Sequence, residues 1–121
     1  MDQPTSETLP HYALIELDFG DGRYPFKLGM QEAASLEADM EKGIFQTLNE
    51  IKTGAWRLKD LREIIRWGLI GGGMSPTEAV KKVQTYVDQR PADENCALAM
   101  VIVGAALFGS PEYQQRQVAA A

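Results

Sequence analysis

The segment Leu58–Gly73, LKDLREIIRWGLIGGG, limits what this chain can fold into more than any other stretch. Leu58, Leu61, Ile64, Ile65, Gly68, Leu69 and Gly72 recur at helical spacing and fall on one side of a helix wound at about 3.6 residues per turn. Lys59, Arg62, Glu63 and Arg66 fall on the other. Gly71-Gly72-Gly73 is expected to end the helix, because glycine reaches the left-handed conformation that a helix C-terminus often takes.

The segment before it reads as a β-hairpin over residues 11–28. Ala13, Ile15, Leu17 and Phe19 alternate with Tyr12, Leu14, Glu16 and Asp18. Asp21-Gly22 is a two-residue turn signal. A turn centred there sets Phe19 opposite Tyr24, Leu17 opposite Phe26 and Ile15 opposite Leu28, with all six on one face. Pro25 lacks a backbone donor, so its outward side is expected at a sheet edge. An isolated hairpin is marginal, so this one must lay its apolar face on helices.

Helices are expected over residues 30–42, 44–52, 58–71, 76–89 and 92–108. The first has Ala33, Leu36 and Met40 as its stripe and Gly43 as its stop. The second carries Ile44, Phe45, Leu48 and Ile51 and ends at Thr53-Gly54. Ser75-Pro76-Thr77-Glu78 is a capping box with proline at the first helical position. It opens a helix with Ala79, Val80, Val83, Tyr86 and Val87 inside. The last helix is apolar on all sides in its second half and is expected to be the most buried, although Val101-Ile102-Val103 also suits a strand. Residues 1–10 read as a flexible lead-in and 110–121 as a flexible tail. The expected fold is α+β and mainly α: one compact domain over residues 11–109, an N-terminal two-stranded antiparallel hairpin packed on a bundle of four to five helices.

The function classes narrow mostly by exclusion. A net charge of −5 opposes a grip on phosphate backbone. The single Cys96 excludes a disulfide framework and fits a cytoplasmic setting. The polar start carries no signal-peptide pattern. The apolar run Cys96–Gly109 is shorter than the roughly 20 residues a bilayer span needs, so no membrane partner is expected. The triple glycine lacks the following lysine and hydroxyl of a phosphate loop. Asp18 and Asp21 lack the carboxylate that a calcium loop needs at its twelfth position, which is Gly29. His11 and Cys96 form no zinc-ligand spacing and read as structural rather than as a nucleophile pair. Arg57, Lys59, Arg62 and Arg66 make a basic strip that Asp60 and Glu63 interrupt. No catalytic residues, cofactor or metal are therefore expected. Trp67 and Ile70 lie away from the Leu61/Ile65 stripe. They are either core on a helix buried from two sides or an apolar patch for a partner, and they are the candidate partner-binding residues.

The run LREIIRWGLIGGGMSPTEAVKKVQTYVD, the later RP, ADEN and CALAMVIVGAALFG, the Gly20-Asp21-Gly22 turn and the Leu36-Glu37 pair resemble the small gene-transfer-agent proteins of alphaproteobacteria. These are related to proteins encoded between the major tail protein and the tape-measure protein of long-tailed phages. The resemblance covers about residues 12–110 and is a pattern of turns, glycines and core positions. It implies a tail-assembly chaperone that holds the tape-measure protein soluble while the tail forms, without cofactor or catalysis. Self-association stays open. Two other classes stand beside it: a structural tail or head-tail protein of the particle, and a small helical DNA-binding regulator.

Overall fold

The fold is a computed structural model that describes residues 10–120. The expected lead-in falls almost wholly on residues 1–9, outside the described range. A hairpin, β1 (Leu14–Phe19) and β2 (Gly22–Lys27), precedes α1 (Met30–Met40), α2 (Ile44–Thr53), α3 (Leu58–Gly71) and α4 (Pro76–Tyr86). A 3₁₀ turn (Ala92–Asn95) leads into α5 (Cys96–Phe108), and α6 (Pro111–Ala120) follows. The protein is α+β and mainly helical, with the hairpin packed on the helices.

The hairpin differs from the expected register by two residues. Phe19 pairs with Gly22, Leu17 with Tyr24 and Ile15 with Phe26. The turn is therefore Gly20-Asp21, because Gly20 takes the positive φ (61°) and Gly22 does not. The shift is even, so every side chain keeps its expected face. Phe19, Phe26 and Leu28 are buried, while Glu16, Asp18 and Arg23 face solvent.

α3 is the centre of the core, with Leu61, Ile64, Ile65, Gly68 and Leu69 buried along it. β2 crosses its C-terminal end. The expected stop falls at Gly73, which takes positive φ (115°) and returns its N–H to the Ile70 carbonyl (3.0 Å), while the crossing explains Gly71 and Gly72. α3 runs through Gly71, and Gly72 remains right-handed. A Cβ on Gly71 would sit 1.8 Å from the Lys27 carbonyl oxygen, and one on Gly72 would sit 2.0 Å from that of Pro25. Strand backbone and helix backbone touch there, and only glycine permits it.

Other boundaries also moved. α1 ends at Met40, and Glu41, not Gly43, takes the left-handed position (φ 60°). Gly43 instead opens α2, where the Glu37 carboxylate accepts from the Ile44 N–H (2.9 Å). α4 stops at Tyr86 rather than residue 89: the Val87 and Asp88 N–H groups both return to the Val83 carbonyl. α5 is not the most buried helix. It buries Ala99, Ile102, Val103 and Ala105 and leaves Val101 and Phe108 exposed. Residues 111–120, expected as a flexible tail, form α6. Ser110 Oγ accepts from the Tyr113 N–H (3.1 Å) with Pro111 at the first helical position.

A buried charge cluster ties the first three helices together. Asp60 is fully buried at the start of α3. Its carboxylate accepts from Lys42 Nζ (2.7 Å), the Arg57 N–H (2.9 Å) and Arg57 Nη2 (3.2 Å). Lys42 also pairs with Glu50 of α2, and Arg57 Nη2 donates to the Met40 carbonyl. Burial pushes the Asp60 carboxyl up, but these donors together outweigh it and hold it below its ordinary value.

Candidate protein-interaction surface

The basic strip of α3 is spent on internal pairs. The Arg62 Nε–H is shared between both oxygens of Asp88 (3.0 and 3.2 Å), and that bond raises its pKa. Arg66 reaches Glu63 (2.6 Å) and Asp39 (3.3 Å), and Arg57 is held by Asp60. Three of the four cations therefore already face carboxylates, and Lys59 stays exposed.

Trp67 and Ile70 are both half-buried. The Trp67 indole N–H donates to Asp39 on α1 (2.8 Å), and the Arg66 guanidinium lies 4.9 Å from the ring centroid. Ile70 packs on the core cluster. They sit between the two readings weighed for them: neither is fully core nor freely exposed, and Trp67 is fastened to its neighbour helix.

Met30, Leu58 and Val118 are exposed singly on other helices, whereas α5 carries an aligned apolar surface. Ala97, Val101 and Phe108 are exposed, and no atom lies within 4 Å of a Cβ built on Gly104. Their spacing of four, three and four residues is that of a coiled-coil seam. Phe45 of α2, itself exposed, extends the seam by meeting Phe108 edge to face at 6.3 Å. A helix without any charge predicts burial from sequence, and it predicts an apolar face for a partner equally well; that ambiguity is why the sequence did not single these residues out.

The helical run Ala92–Ala119 also passes the length and composition test for a membrane span, with a mean hydropathy of 1.5 and a third of its apolar window buried. The core helix of a soluble protein passes the same test. Gly109 (φ 90°, ψ 152°) breaks the run, and the 13 residues of α5 span about 20 Å against a hydrocarbon layer of about 30 Å.

Two cavities flank β1. One, of about 290 Å³, lies between Asp18–Gly20 and the start of α5, lined there by Glu94, Asn95 and Leu98. The other, of about 410 Å³, lies between Leu14–Glu16 and Ser110–Glu112. Asn95 is only 7% exposed, and its Nδ2 has no hydrogen-bond partner among the described residues. A buried donor left unpaired costs about 1–3 kcal/mol.

Burial, then Asp93, pushes the Cys96 thiol up, away from thiolate. His11 Nδ1 accepts from the Ala13 N–H (3.0 Å), and burial, then Lys27, lowers its pKa despite Glu32. Among the described residues no three metal-ligating side chains cluster.

The described surface is thus a helical domain with a hairpin laid over a glycine-rich helix end and an open apolar seam on α5. The profile of the family described as phage tail tube protein, GTA-gp10, matches residues 13–109. The chain belongs to that family. It is a family of phage and gene-transfer-agent tails, and the protein's role is accordingly in a phage-like tail. The matched region spans the hairpin to the end of α5 and holds every residue of the seam, while α6 lies beyond it. No curated protein and no solved structure matches the chain.

Proposed function

We propose that the protein is a chaperone of phage-like tail assembly, working in the cytoplasm, that holds the tape-measure protein soluble until the tube forms around it. The α5 seam carries this reading. Ala97, Val101, Gly104 and Phe108, extended by Phe45, offer a strip with the spacing that accepts an amphipathic helix of a long client. Trp67 and Ile70, half-buried on α3, are secondary contacts in this reading. It needs no cofactor and no catalysis. The reading includes no nucleic-acid partner, and the carboxylates that face the α3 arginines support that part of it.

The second reading is a structural tail component, and the family description favours it. Against it stands the sheet, which has only two strands with which to build a ring. One experiment separates the two: recovery of the protein's partners from producing cells, alongside protein analysis of purified particles. The chaperone reading expects the tape-measure protein in the recovered complex, its loss on Phe45→Ser/Phe108→Ser, and no stoichiometric copy in finished particles. Stoichiometric presence in particles without tape-measure recovery overturns it in favour of the structural component.

A further inference from the structure

The hairpin has two outer edges, and the fold closes only one. Phe19 and Gly22 flank the turn as a hydrogen-bonded pair, so bonded pairs recur at Leu17–Tyr24 and Ile15–Phe26. The N–H and C=O groups of Glu16 and Asp18 on β1, and those of Arg23 and Lys27 with the Pro25 carbonyl on β2, consequently point outward. On β2 the edge is shut at Pro25 and Lys27: Pro25 has no N–H, and the two carbonyls press against Gly72 and Gly71. On β1 the start is shut too, since the Tyr12 carbonyl accepts from the Ser110 N–H (2.7 Å) and the Leu14 N–H donates to His11. Among the described residues, the outward groups of Glu16 and Asp18 make no hydrogen bond. The two cavities lie at either end of this free length.

We propose that β1 is a docking strand, whose outer edge accepts an extended segment of a partner protein with alternating basic and apolar side chains. The charge on the strand selects that partner. Glu16 and Asp18 stand on the solvent face with side chains 64% and 87% exposed. Arg23 engages one oxygen of each, and the other oxygens make no ion pair among the described residues. An added strand sets its own side chains directly across from these two, where opposite charges stabilise and like charges do not. A second copy of β1 would oppose acid to acid, so the edge rejects self-pairing and favours lysine or arginine. On the inner face the added strand continues the row of half-buried Ile15 and Leu17 over the helices, which calls for apolar residues. Asn95, buried and unpaired beside the Asp18 end, supplies a donor for a peptide carbonyl. This edge is separate from the α5 seam, and the inference holds for a chaperone and a tail component alike.

The test uses the full chain, labelled for amide detection, and two blocked heptapeptides, one alternating Lys and Val, the other Glu and Val. The expected result is saturable binding of the Lys–Val peptide, about tenfold tighter than its counterpart, with slowed exchange at the Glu16 and Asp18 amides. Glu16→Lys/Asp18→Lys should reverse the preference. Glu16→Pro removes an outward N–H that the hairpin ladder does not use, and it should abolish binding while the chain stays folded. Phe45→Ser/Phe108→Ser should leave peptide binding unchanged, which separates this edge from the seam. Absence of protection at Glu16 and Asp18, or a peptide preference that charge reversal leaves untouched, overturns the proposal.

Discussion

Gly71→Ala tests the reading of the glycine-rich end of α3 directly. By helix propensity alone, alanine should stabilise a helical position by up to about 1 kcal/mol. The packing predicts the opposite. The new methyl would lie 1.8 Å from the Lys27 carbonyl oxygen and 3.0 Å from Glu32 Cγ. The first contact is backbone, in the strand that covers the core at Phe26, so it cannot be relieved by a rotamer change. Either β2 or the end of α3 must move by more than 1 Å, given that real Cβ contacts essentially never fall under 3.0 Å. Overpacking of this kind costs about 1–3 kcal/mol, and the movement also disturbs Phe26 and Leu69 beneath. A backbone clash belongs at the upper end of that range, so after the propensity gain the net loss is about 2 kcal/mol, a fall in Tm of roughly 8 °C for a domain of this size. Gly104→Ala is the control: it makes the same change on α5, where nothing lies within 4 Å, and should raise Tm by a few degrees. Thermal unfolding of both variants decides the matter. A Gly71→Ala protein as stable as the parent would refute the close approach of strand and helix.

Three other outcomes follow from the same contacts. Gly20→Ala should destabilise the hairpin, because Gly20 has φ 61° and a Cβ there would meet the Tyr86 ring at 2.5 Å, whereas the Cβ of Gly22→Ala meets nothing nearer than 3.6 Å and should be tolerated; equal melting of the two would contradict the register. Asp60→Asn should cost about 1–3 kcal/mol in chemical denaturation, since Lys42 keeps Glu50 but loses its buried carboxylate partner, and an unchanged stability would show the cluster to be dispensable. The His11 pKa is lowered in the fold, chiefly by burial, so its contribution is present above its ordinary value near 6.5 and is lost as pH falls through the lower folded value; His11→Asn, which keeps an acceptor for the Ala13 N–H, should flatten the dependence of Tm on pH below about 6.5, and parallel Tm profiles for the two proteins would exclude the histidine as the cause.

What the sequence disclosed was periodicity, and what it withheld was contact. The stripe of α3 and both of its ends were legible because helical spacing and glycine punctuation are local signals. The faces of the hairpin were legible for the same reason, but not its register: Gly20 and Gly22 both flank Asp21, and which of them turns the chain depends on Tyr86 packing against Gly20 from a distant helix. The stop of α1 at Glu41 was hidden because Lys42 is drawn back to Asp60 and Glu50, an arrangement that exists only once three helices meet. α6 carried a readable start, Ser110-Pro111, of the same kind as Ser75-Pro76; its polar composition masked it. The seam on α5 could not be separated from a core helix, because an uncharged helix looks alike whether its last face meets protein or solvent.

The cost of leaving that face open bears on function. Val101, Phe108 and Phe45 keep 40%, 54% and 55% of their surface in water, although polar residues at these positions would leave the buried residues Ala99, Ile102, Val103 and Ala105 in place. An isolated exposed side chain needs no explanation, but three large ones aligned on two packed helices form a patch. The acidic edge strand works in the opposite direction, since Glu16 and Asp18 discourage the very self-pairing that an open β1 invites. One surface is thus sticky and the other selective. A chain that only had to be stable would need neither. The seam follows the 13 residues of α5 and is widened by Phe45 of α2, so it is about the length of one docked helix, and the proposed chaperone and the structural tail component would both present such a surface.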